Sequence, residues 1–147
     1  MTEPLVFFLA GEPKPKQGDR SYIAKSKMGK RYIQHYTDKS VTSAQNAYRF
    51  QLQAQLPSGF TPIESAVSLE VEFRFTPLKS KNKLGRRFYK PTRPDIDNLL
   101  KLLLDVLKGV LIHDDNLIVE IRAKKVYSAS EDGAGIWVYC KQIPDNA

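Results

Sequence analysis

Residues 66 to 75 alternate strictly, with Val67, Leu69, Val71, Phe73 and Phe75 set against Ser68, Glu70, Glu72 and Arg74. A two-residue period puts one set on each face of a pleated chain, so this stretch predicts a half-buried strand. A longer period governs Val41, Ala44, Tyr48, Leu52 and Leu56, which recur at spacings of three and four. They share one face of an amphipathic helix, opened by the candidate caps Asp38 and Ser40 and closed by Pro57-Ser58-Gly59. A second helix is predicted from about Asp95 to Lys108, entered through Pro94 and ended by Gly109. Leu99, Leu100, Leu102, Leu103, Leu104, Val106 and Leu107 wrap most of its circumference, leaving a polar stripe of Asp97, Lys101, Asp105 and Lys108. Such a helix needs cover on several sides. A second copy of the chain would supply part of it in a homodimer; complete burial within one chain is the alternative.

Shorter runs complete the pattern. Leu5 to Ala10 reads as a first strand, followed from Gly11 to Arg20 by a basic loop too rich in Pro and Gly for a regular element. Lys25, Lys27, Lys30 and Arg31 surround Gly29 as a hairpin tip leading into a strand around Tyr32 to Tyr36. After the turn cluster His113-Asp114-Asp115-Asn116, Leu117, Val119 and Ile121 alternate with Ile118, Glu120 and Arg122 in another strand. A last strand, Ile136 to Cys140, follows the turn Glu131-Asp132-Gly133. The order is strand, strand, helix, strand, helix, strand, strand, with no internal repeat and no long linker. The expectation is a single domain over residues 1–147, of the α+β class, with a small mixed sheet packed with two principal helices.

Composition narrows the setting. The 147 residues, 41% apolar and 27% charged, suit a folded soluble chain able to bury a core without staples. Cys140 is the only cysteine, which excludes an internal disulfide and a cysteine zinc cluster and fits a reducing, cytoplasmic location. No run approaches the roughly 18 apolar residues of a membrane span, and no organic cofactor is expected.

Charge adds a partner. There are 23 Lys and Arg against 16 Asp and Glu, a net charge of +7, which favours a polyanion or marks a merely basic surface. Distribution favours the polyanion. Between Phe73 and Pro94 stand Arg74, Lys79, Lys81, Lys83, Arg86, Arg87, Lys90 and Arg93, with no acidic residue. A solvated loop is the ordinary explanation of such a run, but Phe88 and Tyr89 can stack on bases among those cations, so nucleic-acid contact is expected. Lys14, Lys16 and Arg20 of the first loop are further candidates.

The basic run leads straight into Asp95 and Asp97 at the start of the second helix, while Asp114 and Asp115 follow its end. Either pair alone is ordinary capping or turn chemistry. Together, beside a surface that attracts phosphate, they suggest carboxylates separated from DNA by a divalent cation, and hard oxygen ligands suit Mg²⁺. Two ions about 4 Å apart would serve an in-line phosphoryl displacement, for which three or four carboxylates suffice. Lys101, one turn beyond Asp97, either makes an i,i+4 ion pair or positions a carboxylate and stabilises charge on phosphorus. His113 reads more simply as an exposed turn residue than as a general base.

The segment Arg93-Pro94-Asp95-Ile96-Asp97-Asn98-Leu99-Leu100-Lys101, with Leu104-Asp105-Val106-Leu107-Lys108-Gly109 and His113-Asp114-Asp115, resembles the RusA family of Holliday-junction resolvases. Gly11-Glu12-Pro13-Lys14-Pro15-Lys16 is similar to the opening Gly-x-Pro-x-Pro-Lys of its bacterial and phage-related members, and Lys124-Lys125 falls near a basic position of the family. Relatives often continue the opening as Gly-Arg-Pro-Arg, where this chain has Gln17-Gly18-Asp19-Arg20. The resemblance implies metal-binding carboxylates at Asp95, Asp97 and Asp115 with Asp114 beside them, Lys101 as catalytic lysine, and DNA contacts that include Lys124 and Lys125. It also implies a homodimer that nicks four-way junctions symmetrically with Mg²⁺ or Mn²⁺. A flap or branched-DNA nuclease, and a non-catalytic basic junction-binding protein, are the competing functions. A phosphatase or sugar-nucleotide site fits less well, because those place Asp-x-Asp in a loop after a buried strand.

Overall fold

The computed structural model describes residues 3–16, 20–36, 38–78, 87–129 and 133–146. In chain order these form β1 (Leu5–Ala10), β2 (Arg20–Lys25), β3 (Arg31–Tyr36), α1 (Lys39–Gln55), β4 (Val67–Phe75), β5 (Phe88–Tyr89), α2 (Ile96–Leu107), a short 3₁₀ turn (Asp115–Leu117), β6 (Ile118–Tyr127) and β7 (Gly135–Gln142). The main sheet runs β1-β7-β4-β6-β5, and β2 pairs with β3 as a separate ribbon. β4 and β6 are parallel, joined through α2, while the other neighbours are antiparallel. The class is therefore α+β around a mixed sheet, as the period changes along the chain imply.

Strand β4 lies at the centre because its alternation is complete. Val67, Leu69, Val71, Phe73 and Phe75 are buried in one core with Val41, Tyr48 and Leu52 of α1 and Leu99, Leu102, Leu103, Val106 and Leu107 of α2. Both helices thus cover one face of the sheet. Those five α2 residues are buried within the single chain, while Leu100 and Leu104 are half-buried. Most of the cover that α2 needs comes from its own chain. The helix ends where expected, with Gly109 at φ 80°, the left-handed conformation that favours glycine.

Edge strand β1 is sealed by side chains. Gln55 accepts from Phe8 N at 3.0 Å and donates to Phe8 O at 2.7 Å. One turn earlier Gln51 does the same at Ala10, at 2.7 and 3.1 Å. Two amides of α1 thus continue the ladder of β1 where a strand would otherwise have to pair. On the inner side, Gly135 of β7 lies so close to β1 that a Cβ would run into the Phe8 ring and the Leu9 carbonyl.

Three expectations change. Residues 20–25 form a strand, where the pattern puts Arg20 in the loop, Lys25 at the hairpin tip and no element between them, and β5 adds a two-residue pair to β6. β6 begins at Ile118 and runs to Tyr127, and its phase differs from the expected one. Val67 pairs with Ile118 but Ser68 with Glu120, so Val119 is the extra residue of a bulge and stands 61% exposed, while Ile118 and Ala123 pack on the core. The turn expected at Glu131-Asp132 lies outside the described residues. Among the described residues no helix is long and apolar enough to cross a membrane.

Candidate active site and nucleic-acid interface

The start of α2 is held from two sides. On one, the Lys125 ammonium donates to the carbonyls of Thr92 at 2.7 Å and Pro94 at 2.8 Å, which fixes the loop delivering Asp95. Lys90 N donates to Lys125 O at 3.0 Å and its ammonium to Thr92 Oγ1 at 2.8 Å, within 5.2 Å of the Phe75 ring centre and 5.1 Å of that of Tyr127. On the other side, Lys16 N donates to Asn98 O at 2.9 Å and its ammonium meets Asp105 Oδ2 at 2.8 Å. The buried Tyr48 hydroxyl donates to Glu12 O at 3.0 Å and receives the Lys14 backbone N–H; burial above all pushes this phenol up to about 12. Thr76 donates to the Glu12 carboxylate through both its backbone N–H and its hydroxyl. Between these walls lies a cleft of about 720 Å³ lined by Pro13, Pro15, Phe75, Lys90, Arg93, Asp95 and Asn98.

Asp95 is the N-cap residue of α2, with extended backbone, yet its carboxylate makes no capping hydrogen bond. Among the described residues the Asp97 carboxylate, exposed on the first turn, has no hydrogen bond or ion pair either. Among the described residues, two carboxylates therefore stand bare at a helix N-terminus, where the dipole favours negative charge, and Lys90 and Arg93 border the cleft that Asp95 lines. Lys101 points along α2 to Asn98 Oδ1, at 3.3 Å, rather than to Asp97.

The other acidic pair is elsewhere. Asp114 Oδ1 accepts from Asn116 N at 3.1 Å, and its Oδ2 lies 4.0 Å from Lys108 Nζ at the far end of α2. The Asn116 N–H, then the Asp115 side chain, hold the Asp114 carboxyl below the usual range, with smaller help from Lys108 and His113. Asp97 and Lys108 are separated by roughly 16 Å of helix axis. Among the described residues no three of His, Cys, Asp and Glu are gathered as a metal site. Two free carboxylates suit a hard divalent cation in kind; a single chain brings Asp95 near Asp97 and Asp114 near Asp115, as two separate pairs.

The remaining basic candidates divide by partner. Arg87 and Lys124 lie 3.4 and 3.5 Å from the Glu72 carboxylate on the helix-free face of the sheet, where Arg74 also meets it at 2.9 Å. Burial opposes ionisation of Glu72, but Arg74, Arg87 and Lys124 outweigh it and lower its pKa. Lys16 and Lys125 are spent on Asp105 and on backbone carbonyls, Lys14 is half-buried, and Arg93 is exposed. Lys79, Lys81, Lys83 and Arg86, and the Arg20 side chain, lie outside the described residues. Sequence reasoning missed the positioning work of Lys125, although a sign was present. Ala123, Lys125 and Tyr127 pair with Val71, Phe73 and Phe75, so Lys125 occupies an inward slot where an apolar residue is expected.

Residues 10–139 match the family model described as Endodeoxyribonuclease RusA. The chain belongs to the RusA endodeoxyribonuclease family. It is also 29% identical over 133 residues to the uncharacterized protein YqaN of Bacillus subtilis (strain 168), an alignment covering 83% of this chain and 87% of that protein.

Proposed function

We propose that this protein is a Mg²⁺-dependent endodeoxyribonuclease, with Mn²⁺ able to substitute, that resolves four-way DNA junctions by paired symmetric nicks in recombination and repair. It acts in the cytoplasm as a homodimer. The observation that carries this reading is the Asp95 and Asp97 pair, bare among the described residues, beside a cleft bordered by Lys90 and Arg93. Exposed carboxylates next to cations that attract phosphate would repel that phosphate unless a divalent cation intervenes. When bound there, a divalent ion supplies Lewis acidity toward a phosphoryl oxygen and toward water. Asp95 and Asp97 would hold it; Arg93 and Lys90 draw the DNA backbone into the cleft; Lys101, tethered to Asn98, is within a short swing of a phosphate on the same helix face.

Asp114 and Asp115 enter through the dimer. The length of α2 keeps them from the first pair in one chain, and a twofold partner can present its Asp114-Asp115 turn to the Asp95-Asp97 end, reciprocally. Mixing Asp97→Asn with Asp115→Asn chains tests this. Restored nicking in the mixture means sites shared between copies, since one of the two sites in the heterodimer is then intact; no restoration means that each chain works alone.

The test of function is incubation with end-labelled four-way junction, Y-fork and linear duplex in Mg²⁺, with Asp97→Asn and a metal-free control. Symmetric nicks in the junction that vanish in Asp97→Asn, with binding retained, are expected. Preferential cutting of the Y-fork would make it a flap nuclease. Junction binding without cleavage in any divalent metal would leave a non-catalytic binder.

A further inference from the structure

The β2–β3 ribbon stands apart from the body. In a hairpin packed on a core one face is dry, yet here the described side chains are open on both. Ile23 and Ile33, directly paired across the strands, are 73% and 64% exposed on one face, and Tyr22 and Tyr32 are exposed on the other. An exposed apolar pair adds only roughly 0.2–1 kcal/mol to a two-stranded ribbon that is marginal to begin with, and most of its apolar surface stays in water, so these residues suit a partner. Its chemistry follows from charge: Lys25, Lys27, Lys30 and Arg31 crowd the tip, and no acidic residue occurs from Arg20 to Tyr36.

The tip is built firmly. Ser26 N donates to Lys30 O at 2.8 Å, Gly29 N to Ser26 O at 2.9 Å and Lys30 N to Ser26 Oγ at 3.0 Å, with Gly29 at φ 83°. This turn presents Met28 outermost, 94% exposed. A methionine set forward among cations has the composition of the apolar wedges that part stacked bases while neighbouring cations hold phosphates. Two strands fit a major groove, and six residues give each strand a reach of roughly 17 Å. The chain enters the ribbon shortly after Pro13 and Pro15, which line the cleft beside Asp95.

We infer that the β2–β3 ribbon is a DNA-opening arm that places Met28 between bases at the branch point while Lys25, Lys27, Lys30 and Arg31 grip the flanking backbone. The inference rests on the reading of this protein as a branched-DNA nuclease. The test uses the full chain and a four-way junction carrying 2-aminopurine at its crossover. In an Asp97→Asn background, which binds without cutting, the arm raises fluorescence above that of the free junction. Met28→Ala loses most of that rise with affinity changed by no more than a few-fold, and Met28→Phe restores it. With Asp97 intact, Met28→Ala slows junction nicking about tenfold through misplacement of the scissile phosphate.

If Met28→Ala changes neither fluorescence nor nicking, the arm is not a wedge, and the nuclease reading stands as long as the unaltered chain cuts. If the unaltered chain cuts no branched DNA in Mg²⁺ or Mn²⁺ but the Met28-dependent fluorescence persists, the wedge stands and the nuclease reading falls. If Ile23→Glu converts a dimer to a monomer in sedimentation, the ribbon is an interface between copies and the inference is overturned.

Discussion

The two ends of α2 carry the same kind of residues in different states. At its start, Asp95 and Asp97 have neither a capping hydrogen bond nor, among the described residues, an ion pair. Beyond its end, Asp114 is satisfied by Asn116 N, Asp115 and Lys108, which hold it ionised. Within one chain, the carboxylate with local partners steadies its own turn, and the pair without them has its oxygens open to a ligand. Position in the fold, more than residue type, separates the two states.

That contrast can be broken most forcefully at the open end. Asp95→Asn and Asp97→Asn are each expected to lower metal-dependent nicking on the order of a hundredfold or more, since even residues that only orient ligands cost 10–100-fold. The urea midpoint of each should stay close to that of the unaltered chain. A loss of activity that tracks a loss of stability would return both residues to structural roles.

Lys125→Ala should come next, with nicking about tenfold slower and a higher Mg²⁺ concentration for half-maximal rate, because the Thr92 and Pro94 carbonyls lose their clamp. Junction affinity with Mg²⁺ dependence unchanged would show that Lys125 does not position Asp95.

Glu72 tests a third kind of carboxylate, one nearly out of water among three cations. Glu72→Gln is expected to cost roughly 1 kcal/mol in urea unfolding at pH 7, a modest value because Arg87 and Lys124 are half in solvent. Its pKa is lowered on folding, so this stabilisation is full above the ordinary glutamate range and is lost as pH falls through the lowered value. The gap between variant and unaltered chain should therefore close in acid.

The smallest effect is expected at Asp114→Asn, which should lower the urea midpoint slightly at pH 7. The sign is the same as for Glu72: a lowered pKa stabilises above the ordinary aspartate range and is lost as pH falls through the folded value. A shortfall that persists in acid would point to packing rather than charge.

Much of this fold is legible from periodicity alone. β4 and α2 are read correctly because both are buried on the expected faces, and the helix expected between Pro94 and Gly109, from Asp95 to Lys108, is within a residue of the observed one at each end. β2 is missed because burial imposes no alternation on its described side chains, which are open on both faces of the ribbon. β6 is misphased because a bulge at Val119 shifts the register, something no local pattern encodes. In the candidate site, the Asp95-Asp97 pair is legible because basic sequence runs directly into it. The distance to Asp114 and Asp115 is not, because sequence proximity to a helix end conceals which end a residue occupies in space.

The glutamine seal on β1 has a practical consequence. Gln51 and Gln55 are neutral amides that neither titrate nor respond to ionic strength, so they blunt this edge equally in low and high salt. A charged gatekeeper would weaken as salt rises. Salt titrations of DNA binding can therefore be read for phosphate contacts without the β1 edge opening to self-association along the way.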